Sequence, residues 1–137
     1  MHLWLLLAIA ALAGDLTVRS GSGSSVGRIG ADGTLRNASG SSVGKVESDG
    51  TVRNASGSTV GRVESGGTLR NGSGSTVGRL DADGTLRNAS GSTIGRFDGC
   101  TLRNASGSSV GSFDGCSAAD RGKMAAWVMF IDPDVLD

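Results

Sequence analysis

The side chains able to carry chemistry in this chain recur at one spacing. Arg36, Arg53, Arg70 and Arg87 follow Arg19 at intervals of 17 residues, and Arg103 comes one residue early. Guanidinium groups repeated on a rigid surface can hold carboxylates or sulfates multivalently. A second cationic column, Arg28, Lys45, Arg62, Arg79 and Arg96, runs beside an acidic one, Glu47, Glu64, Asp81, Asp98 and Asp114. The 13 Lys and Arg are balanced by 13 Asp and Glu, so no bulk attraction to nucleic acid or anionic membrane is expected. The same balance offers a plainer account of the Arg face, a solvated surface neutralised by its neighbours.

Catalysis has little to work with. The one His is His2, at the extreme N-terminus, which leaves no Ser–His or Cys–His activation in the rest of the chain. A carboxylate pair would suit glycoside hydrolysis, yet the acids sit at repeated turn positions where solvated carboxylates are expected. Asp81-Ala82-Asp83-Gly84 has the look of an opening calcium loop but lacks the later ligands and the closing Glu. Turn chemistry explains it better, and no metal or cofactor is expected. Asn37, Asn54, Asn71, Asn88 and Asn104 each begin an Asn-x-Ser sequon, and each also falls where a tight turn wants Asn. Cys100 and Cys116 follow Asp-Gly pairs at equivalent positions of consecutive units. An exported chain would bridge them, provided the units converge to the Cα separation of ~4.4–6.8 Å that a disulfide needs; two small buried thiols are the alternative.

The elements that must position these residues are set by the repeat. Six units of about 17 residues begin near Thr17, Thr34, Thr51, Thr68, Thr85 and Thr101. Three apolar columns run through them, represented by Leu35, Val43 and Val46, with no helical period. Asn37-Ala38-Ser39-Gly40 and Glu47-Ser48-Asp49-Gly50 both read as a type I turn followed by a Gly at positive φ, the three-residue hairpin loop. The first loop predicts Leu35 opposite Val43, and the alternation of the two loops predicts an antiparallel meander of twelve strands. Val43 and Val46 are three apart and would face opposite ways in a regular strand. The Gly between them, Gly44 and its equivalents, predicts a bulge that restores both to one side. One hairpin with three apolar side chains cannot stand alone in water, so the units must close into a ring or stack as a linear β-solenoid. A stack would align like charges ~4.8 Å apart, which favours the ring.

At the N-terminus Leu3 to Ala10 is apolar and Ala11-Leu12-Ala13 has the small-x-small form of a cleavage site. Residues 1–13 therefore read as a signal peptide, too short for a transmembrane span. Met124 to Ile131 is a continuous apolar run before Pro133, expected as a buried strand that closes the array and covers its edge, with 132–137 as a tail.

The Val-Gly-Arg-Val/Ile, Asp-Gly-Thr-Leu/Val-Arg-Asn and Ser-Gly-Ser-Ser/Thr-Val/Ile elements, together with Ala125-Ala126 and the apolar, aromatic run after them, resemble the bacterial β-flower repeat proteins, in particular the five-fold group. The resemblance covers about Asp15 to Ile131 and implies a fold and export, with no activity to carry over.

The expectation is thus an all-β protein, secreted or periplasmic. Tandem hairpins over 14–131 would form a closed, pseudo-symmetric, propeller-like array ended by a strand at 124–131. Its expected role is that of a non-catalytic structural or binding protein; a glycan-binding or carboxylate-dependent glycan-active protein is the alternative. The binding surface would be the Arg36, Arg53, Arg70, Arg87 and Arg103 column, and its partner an extracellular glycan or cell-surface component.

Overall fold

The computed structural model describes residues 14–136; the signal-peptide expectation for residues 1–13 lies outside them. The strands are β1 (Leu16–Ser20), β2 (Ser25–Ile29), β3 (Thr34–Asn37), β4 (Ser42–Val46), β5 (Thr51–Asn54), β6 (Thr59–Val63), β7 (Thr68–Asn71), β8 (Thr76–Leu80), β9 (Thr85–Asn88), β10 (Thr93–Asp98), β11 (Thr101–Asn104) and β12 (Ser109–Asp114). Each pairs antiparallel with its sequence neighbours, and β1 pairs with β12 through Thr17 to Asp114, Val18 to Phe113 and Arg19 to Ser112. The sheet closes as a barrel of six hairpins with no free edge. The linear stack is excluded.

Both turn types take the geometry their residues dictate. In the first, Gly40 N–H donates to Asn37 O at 3.0 Å and Asn37 N–H to Ser41 O at 2.9 Å; in the second, Gly50 N–H donates to Glu47 O at 2.9 Å and Glu47 N–H to Thr51 O at 2.8 Å. Gly40 and Gly50 sit at φ 89° and 93°, where a side chain is strained.

The strand register corrects one detail of the repeat. Leu35 lies opposite Gly44 and Arg36 opposite Ser42, so the extra residue of the bulge is Val43, and Leu35 does not face it. Gly44 then points inward with Val46, buried like its equivalents Gly27, Gly61, Gly78, Gly95 and Gly111. Val43 still reaches the core from the bulge as a half-buried side chain. Across the Asp-Gly turns pairing is regular, and Val46 faces Val52, Ile29 faces Leu35 and Leu80 faces Leu86. These pairs form the widest apolar layer, completed by Phe97 and Phe113 packed edge to face at 5.8 Å.

The C-terminal segment is helical and does not form a closing strand. A helix α1 (Arg121–Ala126) follows a 3-10 turn at Ala118–Asp120 and widens into a π-turn over Trp127–Ile131, where Asp132 N–H donates to Trp127 O at 2.9 Å. The physical reason is the closure of the barrel. With β1 taken by β12, no strand edge is left for residues 124–131 to pair with, and a chain buried in an apolar lumen must satisfy its own backbone groups. A helix does so.

Met124, Ala125, Ala126, Trp127 and Val128 are all buried, an apolar surface on every side, as a helix enclosed by a barrel requires. Twelve strands make a lumen too wide for wall side chains alone to fill. The Gly layer supplies the clearance. A β-carbon on Gly27 would collide with the Trp127 indole and one on Gly61 with the Phe130 ring, while at Gly78 and Gly44 it would press on Met129 at 3.2 Å and Ile131 at 3.3 Å.

Candidate functional site

The expected Arg column lies on the outer wall of the barrel, where a repeated hydrogen bond to the adjoining turn holds each side chain. Arg36, Arg53, Arg70, Arg87 and Arg103 donate through Nη1 to the carbonyl of the Gly in the adjoining Asn turn, at 3.0–3.1 Å. The Asn of that turn is itself occupied: Asn37 Oδ1 accepts from Ser39 N–H and Ser41 N–H at 3.1 Å and from the Ser39 hydroxyl at 2.8 Å. Turn chemistry accounts for these Asn residues.

Except at Arg36, the Nε of the Arg meets the acidic column. Arg53 meets Glu47 and Arg70 meets Glu64 at 3.1 Å, Arg103 meets Asp98 at 3.3 Å, and Arg19 completes the belt with Asp114 at 2.6 Å. All three columns were legible in the sequence; the register shows how they face one another. Arg28 stands directly across from Arg36, Lys45 from Arg53, Arg62 from Arg70 and Arg79 from Arg87. Such like-charge neighbours repel, and the acids lie where they relieve it. Asp81 shows the arrangement in full: one carboxylate oxygen takes Arg79 Nε at 3.1 Å and the other takes Arg87 Nε at 2.8 Å.

Between adjacent hairpins the same residues line a surface groove. One groove of about 350 Å³ is bounded by Thr68, Thr76, Arg79, Arg87 and the Asn88 turn, and another of the same volume by Thr17, Ser25, Arg28, Arg36 and the Asn37 turn. The two are equivalent by the repeat, except that Arg70 also lines the first; the Arg79 and Arg87 of the first are bridged by Asp81, whose equivalent beside the second is Gly30.

At the opposite rim the Asp-Gly turns carry the remaining carboxylates. Asp32, Asp49 and Asp83 Oδ1 each accept the N–H of the Thr two residues on, at 3.0 Å, and these bonds hold their carboxyls below the usual Asp range. Asp83 of the calcium-like stretch is thereby a turn former. A cavity of about 610 Å³ opens among these turns, with Glu47, Glu64 and Asp81 on one side and Arg121 and Lys123 of the plug on the other.

Cys100 and Cys116 meet on this rim, their sulfurs joined and their Cα atoms 5.8 Å apart. The missing residue brings them together. It shortens the turn to Gly99-Cys100, with Gly99 at φ 61° and Asp98 paired to Thr101. Cys100 O then accepts from Phe113 N–H, as Gly84 O does from Phe97 N–H. Cys116 follows β12 and precedes the plug, so the bridge ties the plug's entry to the wall.

A barrel of repeated hairpins, glycines lining the lumen and a C-terminal plug set the terms for comparison. The family model described as 5-fold beta-flower protein matches residues 9–131. The chain belongs to that family. No curated protein matches it, and no solved structure does. This β-flower has six hairpins, one more than the five-fold symmetry in the family's description. The plug falls inside the matched span, so it is part of the family pattern and not an appendage of this chain.

Sequence reasoning missed the plug's conformation, although a signal was present. Ser117-Ala118-Ala119-Asp120 ahead of an apolar run is a helix-start pattern. In the structure Ser117 N–H donates to Asp120 Oδ2 at 2.8 Å and the Ser117 hydroxyl to the same oxygen at 3.2 Å.

Proposed function

We propose that this β-flower is an exported, non-catalytic binding module that presents its outer wall to an extracellular glycan or cell-surface component. The observation carrying the reading is the repeated groove between hairpins. It combines hydroxyls from Thr or Ser, two or three guanidiniums and a turn Asn on a closed barrel, and polar groups held by a stiff scaffold suit a hydroxyl-rich ligand. The lumen supports a structural role for the interior, because the plug and the wall pack there with apolar side chains alone. Export rests on the Leu3–Ala13 pattern and on the Cys100–Cys116 bridge.

The test has two parts. N-terminal sequencing of material secreted by a bacterial host should begin at Gly14 or Asp15, and a glycan array probed with the mature protein should give saturable binding. Retention of Met1 on exported protein, or a blank array together with an absence of cell-surface binding, refutes the corresponding half. A second reading, a carboxylate-dependent glycan-active protein, is favoured by Glu47, Glu64 and Asp81 around the rim cavity. Release of reducing ends from an oligosaccharide panel, abolished by Glu64→Gln, would establish it over the first.

A further inference from the structure

We propose that Arg28 and Arg36 form a single carboxylate-binding clamp that takes a uronic acid residue of an acidic glycan. The inference rests on the binding-module reading and names its ligand. The repeat supplies the argument. At five places around the wall the Nε of the recurring Arg meets a carboxylate from the acidic column, on Asp114, Glu47, Glu64, Asp81 and Asp98. At the sixth, the residue equivalent to Asp81 is Gly30, which has no side chain to offer.

Arg36 is nonetheless held like the others, its Nη1 on Gly40 O at 3.0 Å. Its Nε has no carboxylate within ion-pair distance among the described residues, and neither does that of Arg28, directly across the strand pair. Two guanidiniums at this register therefore face a space that, one half-turn of the barrel away, holds Asp81 with an oxygen on each Arg. A planar carboxylate with two oxygens is the chemistry that fits.

The groove decides which carboxylate. Its volume, about 350 Å³, is in the range of small-ligand sites. Thr17, Ser25 and the Asn37 turn line it beside the two Arg, giving hydroxyl and amide partners to a polyhydroxylated ring whose acid group sits between the guanidiniums. A charged ligand also relieves the repulsion between Arg28 and Arg36 that the acids relieve elsewhere.

The experiment uses the mature chain labelled with 15N, titrated with tetragalacturonate and followed through the Arg Nε–H signals. The expected result is saturable shifts at Arg28 and Arg36 with the other Arg signals unmoved. Binding should weaken at least tenfold in Arg36→Gln and in Gly30→Asp, which places the carboxylate internally as Asp81 does, and the neutral tetragalactose should give no shifts. Gly30→Asp retains both cations, so its loss of binding cannot be attributed to a change in the Arg residues, and an unchanged or raised melting temperature shows that it folds. Undiminished binding by Gly30→Asp overturns the clamp, and so does the absence of saturable shifts at Arg28 and Arg36. Array binding confined to neutral glycans would sink the clamp while leaving the binding-module reading intact.

Discussion

Replacing Gly61 tests whether the glycine layer exists to admit the plug. A β-carbon built on Gly61 collides with Cε1 and Cζ of Phe130 and lies 2.9 Å from Arg70 O; on Gly111 it lies 2.8 Å from Arg19 O and meets no atom of the plug. The approach to the cross-strand carbonyl differs by only 0.1 Å between the two positions, so that part of the cost cancels between Gly61→Ala and Gly111→Ala. The remainder belongs to Phe130. Carbon atoms prefer about 3.5–4.0 Å, so the ring must retreat by about 1 Å or more inside a filled barrel. Overpacking of this kind costs about 1–3 kcal/mol. At a few degrees of melting temperature per kcal/mol, Gly61→Ala should melt about 4–12 °C below Gly111→Ala. Phe130→Ala in the Gly61→Ala background should return most of that difference and, in the Gly111→Ala background, only lower stability further. Thermal and urea unfolding of the four variants and the Phe130→Ala single mutant measure the coupling. Equal melting temperatures for the two Gly variants, or no coupling to Phe130, would refute the claim that the layer is shaped by the plug.

Three further outcomes are expected. Denatured, unreduced protein should contain no titratable thiol, and Cys100→Ser/Cys116→Ser should lower stability by about 3 kcal/mol, the chain-entropy value for a loop near 15 residues; two free thiols per chain would remove the bridge. Gly66→Ala, at a position with open space and no positive φ, should stabilise by about 0.4–1 kcal/mol through the unfolded chain, and equal or lower stability would count against that turn geometry. Gly66→Asp should add to this a hydrogen bond to Thr68 N–H like that of Asp49 to Thr51. Because that bond lowers the Asp pKa, its contribution is complete above the ordinary value of 3.8 and disappears as pH falls below it; an advantage over Gly66→Ala that persists in strong acid would contradict the assignment.

The outer wall was legible because each turn is decided locally. Asn37 to Gly40 and Glu47 to Gly50 contain all the groups that their turns use, and their 17-residue recurrence gives twelve strands without knowledge of distant contacts, while the like-charge argument only favoured a closed ring over a stack. The Arg–acid belt was visible as columns for the same reason. Its pairing was not, because whether Arg79 or Lys45 shares an acid depends on the register across each turn.

The interior is different in kind. Gly44 in a strand has two explanations, a bulge and a close approach by another element, and sequence alone favoured the first because Val43 and Val46 needed their parity repaired. The structure uses both: Val43 is the bulged residue, and Gly44 opens the wall to the plug. The helical state of residues 121–131 follows from the same closure. An apolar run of strand length becomes a strand only if an edge remains to receive it, and the pairing of β1 with β12 consumes the last one. The inward glycines and the helix they enclose therefore depend on each other, since bulkier residues at Gly27, Gly44, Gly61 and Gly78 would crowd the plug and the loss of the plug would leave a twelve-stranded lumen unfilled. The asymmetry of the outer wall has no comparable interior cause. Gly30 is half-exposed at a turn whose equivalents carry Glu or Asp, and a β-carbon there would approach the Asp32 carboxylate at 2.9 Å, the same neighbour that Glu47 and Asp81 have in Asp49 and Asp83, so packing of the core does not require the glycine.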